Sequence, residues 1–337
     1  MRGLIGLLVK LFLLMEDYLV LNSNFGYACV NMQLLNPRKF GLSHEKIISN
    51  RGMIKKTFIE KGVEYASDLS LKNCKDLFQI IKWNKNNNFQ FFRITSDLFP
   101  WCSQYELHQL PDYNEIKKIL FKIGEFVKKH NIRLTSHPGP FNVLTSSNEK
   151  IVSNCIKDLS VQGEVLDMMN LSRTPYNKIN IHIGGAYDNK DLAMNRFCEN
   201  FNRLPVSVKS RLTVENDDRD SLYSVIELYN NIYSKIGIPI VFDYHHHKFC
   251  NRGIEEKDAL ALSVSTWEEI RPVVHYSESR SIEKKDSSLK PQAHSDYIYD
   301  YIDTYGYNVD IMIEAKHKEL AVLKYLEIHK KKLQDMS

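Results

Sequence analysis

His137, His182, Glu215, Asp243, His246, His275 and Glu314 share one trait: each stands near the end of a short, apolar, strand-prone run. In order the runs read FGYACVN (25–31), FFRITSD (91–97), IRLTSHP (132–138), INIHIGG (179–185), RLTVEND (211–217), IPIVFDYHHH (238–247), PVVHYSE (272–278) and VDIMIEAK (309–316). Imidazole mixed with carboxylate suits Zn²⁺ or Mn²⁺, whereas an all-oxygen set favours Mg²⁺ or Ca²⁺. With His294, brought by a loop, there are more candidate ligands than one ion takes, so two or three ions are implied. Clustered divalent ions activate water and stabilise in-line displacement at phosphorus. Phosphoester hydrolysis is the chemistry this set points to.

Each residue also has a plainer use. His137 or His182 alone could be a strand-end histidine bonded to a backbone carbonyl. Glu215 could cap the next helix, although Asn216 and Asp217 suit that task better. The run His245, His246, His247 could be a solvated loop. Their common position at strand ends favours ligation for the set as a whole.

Such convergence requires strands whose C-terminal ends meet. Between the runs lie segments with helical character: Glu45–Trp83, Tyr113–His130, Glu149–Leu171, Asp191–Asn202, Ser221–Ile236, Glu255–Ile270 and His317–Leu333. In the second, Ile116, Ile119, Leu120, Ile123 and Val127 repeat at three- and four-residue spacing. Strand and helix in alternation call for a parallel sheet, and eight such units suit closure into a TIM (β/α)8 barrel. The predicted architecture is α/β, a barrel with a trinuclear metal site at its C-terminal face. Residues 23–333 form the single barrel domain and residues 1–22 an apolar extension.

Within that extension, Gly3–Leu14 is too short to cross a bilayer and no small-residue cleavage site follows it. It reads as an added helix on the closed end, or as an upstream extension with Met15 as an alternative start. Arg38–Gly62 and Ser277–Ala293 exceed the repeat and read as active-face loops. The NKNNN run at 84–88 reads as a solvated turn. The chain has 337 residues, 43% hydrophobic and 26% charged, an ordinary globular balance. A net charge of +4 does not by itself argue for nucleic acid, and leaves room for a local basic rim. The six cysteines form no C-x-x-C pair, against a thiolate zinc site or a disulfide framework. Reduced thiols in an intracellular protein are the expectation.

From about Phe25 to Lys318 the ordered blocks resemble the UV damage endonuclease family, relatives of the endonuclease IV barrels. They are G-Y-A-C-V-N (26–31), F-F-R-I-T-S (91–96), S-H-P-G (136–139), H-I-G-G-A-Y (182–187), E-N-D-D-R (215–219), F-D-Y-H-H-H (242–247), V-H-Y-S-E-S (274–279) and E-A-K-H-K-E (314–319). The resemblance implies an enzyme that nicks duplex DNA immediately 5′ of cyclobutane pyrimidine dimers and 6-4 photoproducts, leaving a 3′-hydroxyl and a 5′-phosphate. It implies that His137 and His182 hold one ion, with Glu215 bridging to a second completed by Asp243, His275 and Glu314. His246 and His294 would hold a third. Glu215, His275 and Glu314 are the catalytic ligands on this reading. Manganese is the implied metal, with zinc or cobalt as stand-ins.

The resemblance also sets Tyr27 and Asn31 against a pocket for flipped lesion nucleotides, and two departures stand out. Relatives often carry Gln-Tyr as a wedge after H-P-G, where this chain has Pro140 and Phe141; the phenyl ring can still stack. A lysine, sometimes carboxylated, is common two residues before His275, where this chain has Val273. Arg93, Arg219, Lys248, Arg252, Lys316 and Lys318 are basic candidates for phosphate contact. The expected partner is UV-damaged double-stranded DNA, with a monomeric, cytoplasmic or nuclear protein and no stable membrane partner. The rival readings are an endonuclease IV-like abasic-site endonuclease, a sugar isomerase or epimerase barrel, and a lesion-binding protein with a decayed site.

Overall fold

A computed structural model describes residues 23–187 and 189–336. The expectations for residues 1–22 lie outside the described residues. Eight parallel strands close into a barrel in chain order: β1 Phe25–Ala28, β2 Phe91–Ile94, β3 Arg133–Ser136, β4 Ile179–Ile181, β5 Leu212–Glu215, β6 Ile240–Asp243, β7 Val273–Tyr276 and β8 Asp310–Ile313. β8 returns to pair with β1 (Phe25 opposite Ile311), so the sheet keeps no free edge. The helices that follow the strands are α1 Lys55–Asn86, α2 Tyr113–Lys129, α3 Glu149–Met168, α4 Lys190–Phe201, α5 Val225–Leu228, α6 Glu256–Val264, α7 Arg280–Lys284 and α8 Glu319–Met336. This is the (β/α)8 barrel that the alternating pattern predicts.

The helices lie where their apolar stripes require. In α2 the buried residues Ile116, Leu120, Ile123 and Val127 recur at helical spacing. Gly124, on the same face, is pressed so closely to the chain after α3 that an added Cβ would overlap the Met169 carbonyl oxygen. Asn148 caps α3 by accepting from the backbone of Lys150 and Ile151.

Three boundaries depart from the sequence pattern. α1 starts at Lys55 rather than near Glu45, because the preceding loop is held by side chains: Asn73 donates to the Arg51 carbonyl and Arg51 pairs with Asp76 at 2.6 Å. At its other end α1 runs into the NKNNN segment as far as Asn86, burying Asn84, and the expected solvated turn follows at 87–88. The helix predicted over Ser221–Ile236 begins at Val225 behind a Ser224/Glu227 capping box. It then widens into a π-helical stretch, Tyr229–Tyr233, and stops where Gly237 turns left-handed at φ 69°.

Side chains along a strand alternate between barrel interior and helix layer. Ala28, Phe91, Val241, Val273 and Met312 pack with Trp267 into an apolar cluster separate from the main core. At the closed end Arg133 and Asp310 form a fully buried ion pair at 2.9 Å. The Arg133 guanidinium also donates to the backbone carbonyls of Tyr176 and Arg271. Two residues further along the same strands and on the same face stand Arg93, Asp243, His275 and Glu314. The period of two that buries the apolar floor therefore sets these groups above it.

Candidate metal centre

Glu215 is the hub. Its Oε2 lies 3.0 Å from His137 Nε2, and its Oε1 lies 3.1 Å from His275 Nδ1 and 3.5 Å from His246 Nδ1. Asn180, itself held by the Thr213 hydroxyl at 2.7 Å, donates to Oε2. Glu314 Oε1 lies 3.3 Å from the same His275 nitrogen, and Arg93 donates to it. Asp243 accepts the His246 backbone N–H through Oδ1 at 2.8 Å, while its buried Oδ2 has no hydrogen-bond partner.

The histidines are oriented from behind. His182 Nδ1 stands 2.9 Å from Asp217 Oδ1, His246 Nδ1 2.9 Å from the Asn216 carbonyl, and His294 Nδ1 2.8 Å from the Glu314 carbonyl. His137 Nδ1 lies 3.2 Å from the Pro138 carbonyl. An acceptor on one ring nitrogen leaves the other as a lone-pair donor, the arrangement found behind metal-bound histidines. His275 is turned the other way: its Nε2 meets Lys178 Nζ at 3.2 Å and its Nδ1 faces the carboxylates.

Three sets of potential ligand atoms converge: His137, Glu215 and His275; His182, Glu215 and His246; Asp243, His275 and Glu314. The third set is the one expected around a single ion; in the first two, His137 stands with His275 and His246 stands with His182. His294 sits at the margin, its ring 6.4 Å from that of His246.

Burying so much charge shifts its protons. Burial lifts the Asp243 carboxyl to about 7, and Glu215 and Glu314 push in the same direction. Burial draws His182 down, but the Glu215 and Asp217 carboxylates outweigh it and raise the imidazole to about 10. Burial, with Lys178 beside it, lowers His275 to about 4. Burial opposes the Glu215 charge too, yet His275 and His182 hold its carboxyl well below the usual range.

These residues suit divalent cations on the structure's own terms. Imidazole and carboxylate donors meet in largely buried triads, Asp243 Oδ2 has no hydrogen-bond partner, and His275 Nδ1 has only carboxylate oxygens before it. Acids this close favour positive charge among them, which Arg93 supplies to Glu314 and a divalent cation would supply to the rest.

The profile of the family described as "UV-endonuclease UvdE" matches residues 23–337. This chain belongs to that family. A UV-damage endonuclease of Schizosaccharomyces pombe is 34% identical over 307 residues, covering 88% of this chain, which spans about half (49%) of that relative's length. A UV DNA damage endonuclease of Bacillus mycoides is 36% identical over 272 residues, 77% of this chain and 81% of the relative. The crystal structure of SacUVDE superposes with a TM-score of 0.75 at 31% identity, over 92% of this chain and 99% of the other.

Against the UvdE family, several expected positions need correction. Tyr27 and Asn31 do not face an open pocket. Gly26 takes the interior face of β1 against Phe91, so Tyr27 points outward to α1. There its hydroxyl donates to Asn84 at 2.5 Å and accepts from Asn31 at 2.9 Å, with Phe89 and Phe92 around the ring. Val273 belongs to the apolar floor, and Lys178, just before β4, brings its Nζ to 3.2 Å from His275 Nε2. His245, His246 and His247 form a buried helical turn, not a solvated loop. Of the basic candidates, Arg93 is committed to Glu314, and Arg252 to Asp220 and Glu227.

Phe141 does stand free, 66% exposed, with its ring folded over Gly139. It lines a cavity of about 460 Å³ with Met53, Phe99 and Trp101. Its neighbour Pro140 lines another of about 390 Å³ that contains His182 and His246. Sequence reasoning passed over Asn180, Lys178 and the orienting role of Asp217. The only signal was their spacing: Lys178 and Asn180 precede His182 by four and two residues, so alternation puts all three on one face.

Proposed function

We propose that this chain is a metal-dependent endonuclease that cuts duplex DNA immediately 5′ of UV photoproducts. Membership of the UvdE family supports the reaction class. The observation that carries the reading is the set of histidines tied to acceptors through Nδ1 around a buried, shared glutamate. The residues suit as many as three ions; manganese is the metal that the family resemblance implies, and the mixed imidazole and carboxylate donors would also accept zinc or cobalt.

When bound, the ions supply an activated water and positive charge for the phosphate. The protein's part is positioning. Glu215 is fixed by Asn180 so that both oxygens face ligands, and Asp217 and the Asn216 carbonyl set the planes of His182 and His246. Arg93 holds Glu314 and adds a permanent cation to the site. The apolar floor beneath keeps bulk water from the far side. Phe141, on the rim, is suited to enter the stack where damaged bases leave it. The partner on this reading is UV-damaged double-stranded DNA, met by a monomer.

The test is to incubate an end-labelled duplex bearing one pyrimidine dimer with the protein and Mn²⁺, beside an abasic duplex. A cut at the phosphate 5′ of the dimer, leaving a 3′-hydroxyl, is expected. Cleavage confined to the abasic duplex would favour an abasic-site endonuclease instead.

A further inference from the structure

Phe141 is exposed on a short loop, and a wedge is useful only if its backbone does not yield when it meets stacked bases. The loop His137–Asn142 has no regular structure to stiffen it. What fixes it is the residue after the ring. Asn142 is buried; its side-chain nitrogen donates to Asp158 Oδ2 at 2.8 Å and to the Gly139 carbonyl at 3.2 Å, and its backbone N–H reaches the same carbonyl at 3.1 Å. Gly139 and Asn142 thus close a turn with Phe141 at its tip.

Asp158, on α3, accepts at its other oxygen from the Cys102 thiol at 3.4 Å. One carboxylate therefore joins the β3 loop that carries Phe141, the β2 loop that carries Trp101, and a long helix of the barrel wall. Both Phe141 and Asp158 line the 460 Å³ cavity, with no metal ligand among its walls. Two hydrogen bonds to an anionic oxygen pair, one of them from a buried amide, are stronger than neutral ones and set direction as well as distance.

We infer that Asp158, acting through Asn142, is a positioning residue for damage recognition: it holds the Phe141 loop rigid so that the ring can part a fully paired duplex. This rests on the endonuclease reading above. The force needed depends on the stacking and pairing that must be broken, so the brace matters for a paired dimer. It is dispensable where the bases opposite the dimer are mismatched and already open.

The experiment compares incision of one dimer in a fully paired duplex and in a bubble of two mismatches. Asp158→Leu keeps the branched shape and the number of heavy atoms and removes both acceptors. It should slow incision of the paired duplex about tenfold or more, as expected for loss of a charge-assisted hydrogen bond, and change the bubble substrate by less than about twofold. Asp158→Asn, whose side-chain carbonyl can still accept from Asn142, should restore most of the paired-duplex rate. Asn142→Ala, which breaks the brace from its other side, should repeat the Asp158→Leu pattern and serves if that variant fails to fold.

Equal losses on both substrates, or no loss on the paired one, would overturn the brace. Failure of the unaltered chain to cut either substrate would bring down the endonuclease reading itself, and this inference with it.

Discussion

Glu215 touches three imidazoles through two oxygens, so no other side chain of the site has as much to lose. Replacing it by alanine removes the shared carboxylate and leaves His137, His246 and His275 facing one another. Orienting residues behind a ligand are each worth about ten- to a hundredfold in affinity or activity. Incision by Glu215→Ala should accordingly fall by more than about a hundredfold, with fewer ions per chain by elemental analysis. Near-normal cutting with a full metal complement would contradict the assignment. The convergence of these side chains was readable because several apolar runs end in an imidazole or acid at the same position, which plainer uses do not explain for the set as a whole. Their supports were not. Asp217 looked like a helix cap, Asn180 is a polar residue within an apolar run, and Lys178 lies just before that run. Their partners lie on other strands, so only the closed barrel brings them together. Tyr27 was misplaced for a related reason: its motif matches, but which face of β1 it takes depends on what Gly26 packs against.

Element positions followed from periodicity, and element ends did not. Strand runs and helix stripes repeat at different periods, so all eight strands were found where the apolar runs predict them. The start of α1 depends on a side-chain contact from elsewhere, Asn73 to Arg51, which no local pattern reports, whereas the start of α5 at Val225 is marked by the local Ser224/Glu227 box that the broader apolar pattern overran. Contacts between elements also give a clear test. Alanine is favoured over glycine in a helix by about 1 kcal/mol. Gly124→Ala in α2 should nevertheless destabilise the protein by about 1–3 kcal/mol, because the new methyl meets a backbone carbonyl that cannot rotate away. Chemical denaturation measures it. An unchanged or raised midpoint would mean that the α2–α3 packing is looser than its geometry indicates.

At the scale of the whole molecule, the metal centre is where stability and activity meet. Ions bound only by the folded chain would add about 3 kcal/mol when free ion exceeds Kd a hundredfold, so chelation should lower the melting temperature and Mn²⁺ should restore it. The affinity should also depend on pH, and the sign is fixed by His182. With its pKa raised to about 10, the ion-free site holds a proton there throughout the neutral range, and loading must displace it. Asp243, at about 7, adds a second proton to displace on the acid side. Mn²⁺ affinity should therefore climb between pH 6 and 9, and titration calorimetry in buffers of different ionisation enthalpy should register proton release. In the ion-free protein the same His182 pairing stabilises the fold fully below pH of about 6.5 and fades as pH rises toward 10. A flat affinity profile would count against His182 as a ligand.

The Arg133–Asp310 pair and the Trp267 cluster also decide how traffic moves. They stopper one end, so among the described residues the histidine and carboxylate cluster lies in a cul-de-sac, and on the proposed reading its open end is where a duplex would lie. On that reading cations could not enter from below while a nucleic acid is seated above. Exchange of bound for free ions would then wait for product to depart, and a slowly released nicked strand would hold in place whatever ions served the last turnover.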